Sequence, residues 1–271
     1  MARSDTAATR CFAAVGDVHG RLDAMVRALG KWERRRERRL DFVLQVGDFE
    51  PHRDAADLAT MAAPSRYRVL GDFPDYAAGR RRFPWPIYFI GGNHEPYGLL
   101  DRLAPGDAVV PNCTYLGRAH VHRIAGLDVA ALSGIHVPAL LGGRPPVEAI
   151  AWTSKKAYIG FTEAEVLALL EAPRADVLVV HEWPTGVIAA ADAPSFERQR
   201  RSMRYDDVGN DYARMIMEHL APQLVLCGHM HKRYRSRVGA TEVCALADVD
   251  AGADAGAYFE VRAQGIVELG D

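Results

Sequence analysis

The stretch Cys11-Phe12-Ala13-Ala14-Val15-Gly16-Asp17-Val18-His19-Gly20 sets the reading of this 271-residue chain. Five apolar residues suit a buried β-strand, and the turn after them delivers an acid and a histidine. The same pattern returns four times. Phe42-Val43-Leu44-Gln45-Val46 leads into Gly47-Asp48, and Ile87-Tyr88-Phe89-Ile90 into Gly91-Gly92-Asn93-His94-Glu95. Val177-Leu178-Val179-Val180 leads into His181-Glu182-Trp183-Pro184, and Leu224-Val225-Leu226-Cys227 into Gly228-His229-Met230-His231. Runs this apolar predict strands covered on both faces.

Helical patterns separate several of these runs. Leu22, Met25, Val26, Leu29 and Trp32 share one face of a helix predicted within 22–40. Thr162-Glu163-Ala164-Glu165 opens a second helix that continues through Leu170, and Asp211 to Leu220 is a third. Strand–helix alternation predicts an α/β layered fold. From about Asn112 to Ile135, and again after Thr241, short alternating strands such as Val121-His122-Arg123-Ile124 and Tyr258-Phe259-Glu260-Val261 predict a second sheet within the same domain. No repeat, linker or boundary divides the chain, so 1–271 is read as one domain.

Composition narrows the classes. Hydrophobic residues at 49% and charged residues at 25% exclude a disordered tail, a collagen-like chain and a disulfide mini-scaffold. Lys+Arg number 33 against 35 Asp+Glu, and a net charge of −2 excludes a basic funnel covering the whole protein. Cys11, Cys113, Cys227 and Cys244 form no C-x-x-C pair, so free thiols in a reducing compartment are expected. No apolar run reaches the length of a membrane span, and Met1-Ala2-Arg3-Ser4-Asp5 lacks an apolar signal core, so the expectation is a cytoplasmic protein.

In open α/β sheets, ligands sit beyond the carboxyl ends of the strands. The five strand ends here would bring Asp17, His19, Asp48, Asn93, His94, His181, His229 and His231 to one pocket. Imidazole nitrogens mixed with carboxylate and amide oxygens suit zinc, iron or manganese rather than calcium. Seven ligands drawn from these eight residues are too many for one tetrahedral ion and right for two that share a carboxylate. Taken singly, Asp17 or Asp48 would be read as a turn residue, Asn93 as a left-handed turn position and His181 as a core histidine. Their joint placement, in order along the chain, carries the metal reading.

The ordered series Gly16-Asp17-Val18-His19-Gly20, Gly47-Asp48, Gly92-Asn93-His94-Glu95, His181 and Gly228-His229-Met230-His231 resembles the calcineurin-like metallophosphoesterase superfamily. The resemblance implies a four-layer α/β/β/α sandwich of two mixed sheets with a dinuclear centre of divalent transition metal ions (Mn, Zn or Fe). Asp17, His19 and His231 would hold one ion, Asn93, His181 and His229 the other, and Asp48 would bridge them. A hydroxide held between the ions would attack phosphorus, and His94 would protonate the leaving oxygen. Glu95 would either orient His94 or be a solvated loop acid, and the second is the expectation. A non-catalytic scaffold of this fold would lack several ligands, whereas every expected position is filled.

Protein phosphatases of the superfamily carry Gly-Asp-x-Val-Asp-Arg-Gly at the second motif. Here Gly47-Asp48-Phe49-Glu50-Pro51-His52-Arg53 lacks the phosphate-gripping arginine in its slot. The chain is more similar to the RNA lariat debranching enzymes. That likeness rests on Gly47-Asp48-Phe49-Glu50, on Asp57-Leu58-Ala59-Thr60-Met61-Ala62-Ala63-Pro64-Ser65-Arg66-Tyr67, on Pro111-Asn112-Cys113-Thr114-Tyr115-Leu116-Gly117, on Ser133-Gly134-Ile135 and on His181-Glu182-Trp183-Pro184. It implies a phosphodiesterase acting on RNA at 2′,5′ branch points. Asp17 stands where the eukaryotic pattern has Cys, and an oxygen ligand there favours two fully loaded metals. The alternatives within enzymes are a small-molecule phosphomonoesterase and a cyclic-nucleotide phosphodiesterase. The likeness also places a substrate-recognition loop at 137–161, where Trp152 could stack a base and Lys155 and Lys156 could grip phosphate. The basic run 31–39 is interleaved with glutamates and reads as a solvated helix face, and Arg80-Arg81-Arg82 lies at the far end of its strand. Arg198, Arg200, Arg201 and Arg204 are the better placed of the basic clusters to meet a polyanion.

Overall fold

In the computed structural model, which describes residues 9–197 and 208–270, each of the five apolar runs forms a strand within one residue of its expected ends. One sheet of seven strands runs in the order Gly265–Leu269 (β13), Gly256–Arg262 (β12), Arg10–Val15 (β1), Phe42–Gln45 (β2), Ile87–Phe89 (β3), Cys113–Tyr115 (β5) and Ala108–Val110 (β4). The other, of six, runs Tyr234–Val238 (β10), Thr241–Ala245 (β11), Leu224–Cys227 (β9), Val177–Val180 (β8), Leu127–Leu132 (β7) and Ala119–Ile124 (β6). The central strands β1, β2, β3 and β5 are parallel, as are β7, β8, β9 and β11. Antiparallel strands complete the flanks, so both sheets are mixed.

The period of two along each strand builds three cores between four layers. Ala13, Val15 and Val43 turn outward onto Met25, Leu29 and Trp32 of the helix Leu22–Arg36. Their neighbours Phe12, Ala14, Phe42 and Leu44 turn inward against Val129, Val177, Val179, Leu224 and Leu226 of the second sheet. The far face of that sheet, through Leu178, Val180 and Val225, packs on Val166 and Leu169 of the helix Glu163–Leu170 and on Ile216 and Met217 of the helix Asp211–Leu220. This is the expected α/β/β/α sandwich of two mixed sheets.

The helices stop where their caps are. The first ends at Arg36 rather than running to residue 40, because Glu37 turns left-handed (φ 51°) and returns its N–H to Glu33. Thr162 and Glu165 form a reciprocal capping box, and Asn210 accepts from the Ala213 N–H at 2.8 Å. Arg34, Arg35 and Arg36 are exposed, Arg80 pairs with Asp75 at 2.7 Å, and Arg81 pairs with Asp23. Arg198, Arg200, Arg201 and Arg204 lie outside the described residues. All four cysteines are buried free thiols. No helix among the described residues is long and apolar enough to cross a membrane.

Candidate metal centre

Each of the five motif loops leaves the carboxyl end of a parallel strand, so the sheets deliver them to one edge. Asp17 and His19 follow β1, Asp48 follows β2, and Asn93 and His94 follow β3. His181 follows β8, and His229 and His231 follow β9. His19, Asp48, Asn93, His94, His229 and His231 line one cavity of about 680 Å³, with the buried Asp17 and His181 behind them. The sandwich thus brings together all eight residues expected there.

The backbone is strained at this edge. His19, Asp48, Glu50, His229 and His231 are left-handed, with φ of 49°, 53°, 58°, 67° and 52°. Such conformations persist only where the surroundings over-determine them, and they gather at functional sites. Asn93 has no positive φ, so it is not there to serve a left-handed turn. Two glycines let the loops close. A Cβ on Gly92 would stand 2.2 Å from Asp48 Oδ1, and one on Gly228 would stand 2.2 Å from Asp17 Oδ1.

The donor atoms form a continuous web. His231 Nε2 lies 3.0 Å from Asp17 Oδ2 and 3.1 Å from His19 Nε2. His181 Nε2 lies 3.5 Å from Asp48 Oδ1 and 3.3 Å from Asn93 Oδ1. The His181 and His229 rings are 4.9 Å apart. The carboxylates also tie loops together: Asp17 accepts the His229 N–H at 3.0 Å, and Asp48 accepts the His94 N–H at 2.8 Å. Asp17 with His19 and His231, and Asp17 with Asp48 and His181, place their ligand atoms within 4.8 Å of one another.

Hydrogen bonds at the opposite ring atoms fix which nitrogens face inward. His181 Nδ1 donates to the Val46 carbonyl at 2.8 Å, which leaves Nε2 with its lone pair towards Asp48. His19 Nδ1 sits 2.9 Å from Glu50 Oε1, and His231 Nδ1 sits 3.0 Å from Asp248 Oδ2. If both donate there, two bare Nε2 atoms face each other beside a carboxylate oxygen, a set of lone pairs that only a cation can reconcile. The buried carboxylates draw positive charge to this edge. Burial opposes charge on His19, yet the bond to Glu50 and the charges of Asp48 and Asp17 push it up to about 9. Burial likewise opposes charge on His181, but Asp48 and Asp17 push it up to about 10. Burial and the nearby His181 push His229 down to about 4, so its imidazole is neutral at physiological pH. Burial also works against the Asp48 carboxylate, which the neighbouring histidines nevertheless hold well below the usual carboxylate range.

Glu95 corrects an expectation. It is buried rather than solvated, and its oxygens accept the N–H groups of Phe49 (2.8 Å), Glu50 (3.0 Å) and Gly92 (3.2 Å). Burial and the charge on Asp48 push it up to about 8 against the pull of those N–H groups. Its reading as a loop acid failed because a carboxylate that ties two loops together cannot be told from a solvated one without the fold. Glu95→Ala is expected to orphan three buried donors and lower stability by about 3 kcal/mol or more, measured by urea unfolding.

The side chains assigned to the substrate do not line this cavity. Trp152 is 78% exposed on the segment 137–161. The Lys155 ammonium is taken up by carbonyls of its own loop, those of Ile150, Ala151 (3.1 Å) and Thr153 (3.2 Å). Lys156 is exposed. The loop's Arg144, Pro145 and Val147 instead line a separate cavity of about 430 Å³. Arg53 pairs with Asp57 at 2.7 Å and is not among the residues that line the cavity. The cavity lining also carries residues that had no expected role, among them Arg21, Glu50, Arg66, Tyr67, Asp248 and Asp250. Asp248 was within reach of the strand-end rule, since it follows the parallel strand β11 by three residues. Arg66 and Tyr67 sit in a short 3₁₀ turn with no periodic signal.

The comparisons with known proteins agree with this geometry. The family model described as Calcineurin-like phosphoesterase matches residues 12–233. A lariat debranching enzyme of Entamoeba histolytica is 29% identical over 243 residues, which cover 88% of this chain and 68% of that protein. A lariat debranching enzyme of Schizosaccharomyces pombe is 30% identical over 231 residues, 82% of this chain and 48% of that protein. This chain thus spans about two thirds of the first relative and half of the second. Among solved structures, GAP50, the anchor in the inner membrane complex of Plasmodium, aligns over 96% of this chain and 83% of its own with a TM-score of 0.50 at 11% identity, a likeness of fold alone. Two mixed sheets, ligand-bearing loops on one edge in the expected order, and a family match across most of the chain lead to one assignment: this protein belongs to the calcineurin-like phosphoesterase family.

Proposed function

We propose that the chain is a metal-dependent phosphodiesterase of the debranching type, acting on RNA at a 2′,5′ linkage. The observation that carries the reading is the convergence of Asp17, His19, Asp48, Asn93, His181, His229 and His231 at one cavity, with His94 on its wall. The Nε2 atoms that His19, His231 and His181 turn inward beside two buried carboxylates fit divalent cations. In this reading Asp17, His19 and His231 hold one ion, Asn93, His181 and His229 hold a second, and Asp48 reaches both. A bound pair of such ions supplies positive charge for the phosphoryl oxygens and acidifies water.

The chain's own residues do the rest. Asp48 fixes the His94 main chain through its N–H, so the ligand loop and the proton donor move as one piece. His94 provides an imidazole at the cavity wall for the leaving oxygen, which needs a proton as its bond to phosphorus breaks. Asn93 ligates without adding negative charge, which keeps the centre electrophilic. Tyr67 offers a half-exposed ring 6.5 Å from that of His94, suited to a nucleobase. Trp152 and Lys156 would be reached by an RNA that extends past the cavity. The reading takes the chain as one phosphoesterase domain with 137–161 as its substrate loop, and its buried free thiols support a reducing, cytoplasmic setting.

The test is hydrolysis by protein loaded with Mn²⁺ or Zn²⁺. A branched RNA should open faster than a linear 3′,5′ strand, and both faster than a phosphomonoester. Equal rates on branched and linear RNA would remove the branch-point assignment, and preference for the monoester would replace the diesterase reading.

A further inference from the structure

Three histidines, His19, His52 and His94, surround the carboxylate of Glu50. It is buried at the base of the cavity, in a left-handed conformation (φ 58°) secured by the bond from its N–H to Glu95 Oε2 at 3.0 Å. Its Oε1 lies 2.9 Å from His19 Nδ1 and 3.8 Å from His94 Nδ1. Its Oε2 lies 3.7 Å from Nε2 of His52, a wholly buried imidazole. Neither ring nitrogen of His52 finds a hydrogen-bond partner among the described residues, and neither does the buried Nδ1 of His94. A buried, unsatisfied donor beside an acceptor is an arrangement that costs free energy until the two meet. At 3.8 Å a small ring rotation closes the gap, and catalytic hydrogen bonds are often longer in a resting protein than in its substrate complex.

We propose that Glu50 is a positioning residue for His94. Its carboxylate accepts Nδ1–H from His94 as it does from His19, so that both rings present Nε2 to the cavity: His19 as a ligand, His94 towards the leaving oxygen. Glu50 does not touch the substrate. It sets ring plane and tautomer, with His52 Nε2 lying 3.7 Å from its second oxygen. One carboxylate therefore couples the placement of a ligand to the placement of the proton donor. The proposal rests on the phosphodiesterase reading only for the consequence of that placement. The placement itself is a property of the protein without substrate.

The experiment combines a rate series with a tautomer measurement. With aryl methyl phosphates of graded leaving-group pKa, and metal saturating, Glu50→Ala should lower kcat on the poorest leaving group ~10–100-fold, the range for losing an orienting partner. The activated ester, whose leaving group needs no proton, should lose only the smaller share that comes from loosening the His19 ring, so the loss should grow steadily with leaving-group pKa. Glu50→Gln, whose amide oxygen still accepts, should recover most of the loss. Placed in a His94→Ala background, Glu50→Ala should add no further sensitivity to the leaving group, because the two act as a unit. In long-range ¹H–¹⁵N spectra of the metal-free parent, the neutral His94 ring, assigned by its absence from His94→Gln, should carry its proton on Nδ1. Equal losses on good and poor leaving groups, additive effects with His94→Ala, or a proton on Nε2 of His94 would each overturn the proposal. Should the loaded parent cleave no diester at all, the phosphodiesterase reading fails, and the spectra of the parent and of Glu50→Gln still decide the role of Glu50. Those same spectra decide it if Glu50→Ala does not fold.

Discussion

Asp48→Asn is expected to abolish turnover, with a loss on the order of 10³-fold or more, about 4 kcal/mol of barrier. The amide occupies the same space between Gly92 and His181, so the fold should survive. What is lost is a buried negative charge that three histidines share: His181, His94 and His19 all favour the ionised Asp48. Without it the two ligand groups have no common anion, and the binding of both ions weakens. The bond from the His94 N–H to Oδ1 at 2.8 Å is also exposed to an amide flip, which would loosen the proton donor. Metal content after dialysis and kcat on a diester should therefore fall together. A variant that keeps both ions and full rate would show that Asp48 is not shared between them.

His94→Ala separates metal binding from proton delivery. His94 lines the cavity, but its ring makes none of the contacts that join Asp17, His231, Asp48 and His181. Its removal should leave the metal content at the parental value. The rate on a diester with a poor leaving group should drop about 10²–10⁴-fold, as for loss of a general acid, while an activated ester loses far less. Measuring both esters on the same preparation distinguishes this from general damage. Equal rates for His94→Ala and parent on the poor leaving group would remove His94 from the acid role.

Much of the site was legible because the fold's own rule placed it. Asp17, Asp48, Asn93, His181 and His229 each follow an apolar run that had to be a buried strand, and parallel strands end on the same edge. Their convergence needed no knowledge of contacts. The helix Leu22–Arg36 was likewise written in its period, although not its end, because nothing in Glu37 marks the left-handed turn it adopts. What stayed hidden were the carboxylates that support the ligands. Glu95, Glu50 and Asp248 sit in loops, and a loop acid is solvated by default. Only the assembled edge shows that Glu95 closes on Phe49 and Gly92, that Glu50 meets His19, and that Asp248 backs His231. Lys155 misled for the converse reason: a lysine in a Gly/Pro-rich loop promises a free cation, yet the short helical turns around it leave carbonyls that its ammonium caps.

Scattering near the Mn absorption edge from crystals grown with Mn²⁺ would locate the ions without reference to activity. Two anomalous peaks in the 680 Å³ cavity are predicted, one among Asp17, His19 and His231, the other among Asn93, His181 and His229, with Asp48 in reach of both. A cavity without a peak, or peaks seated only on residues outside this set, would contradict the account.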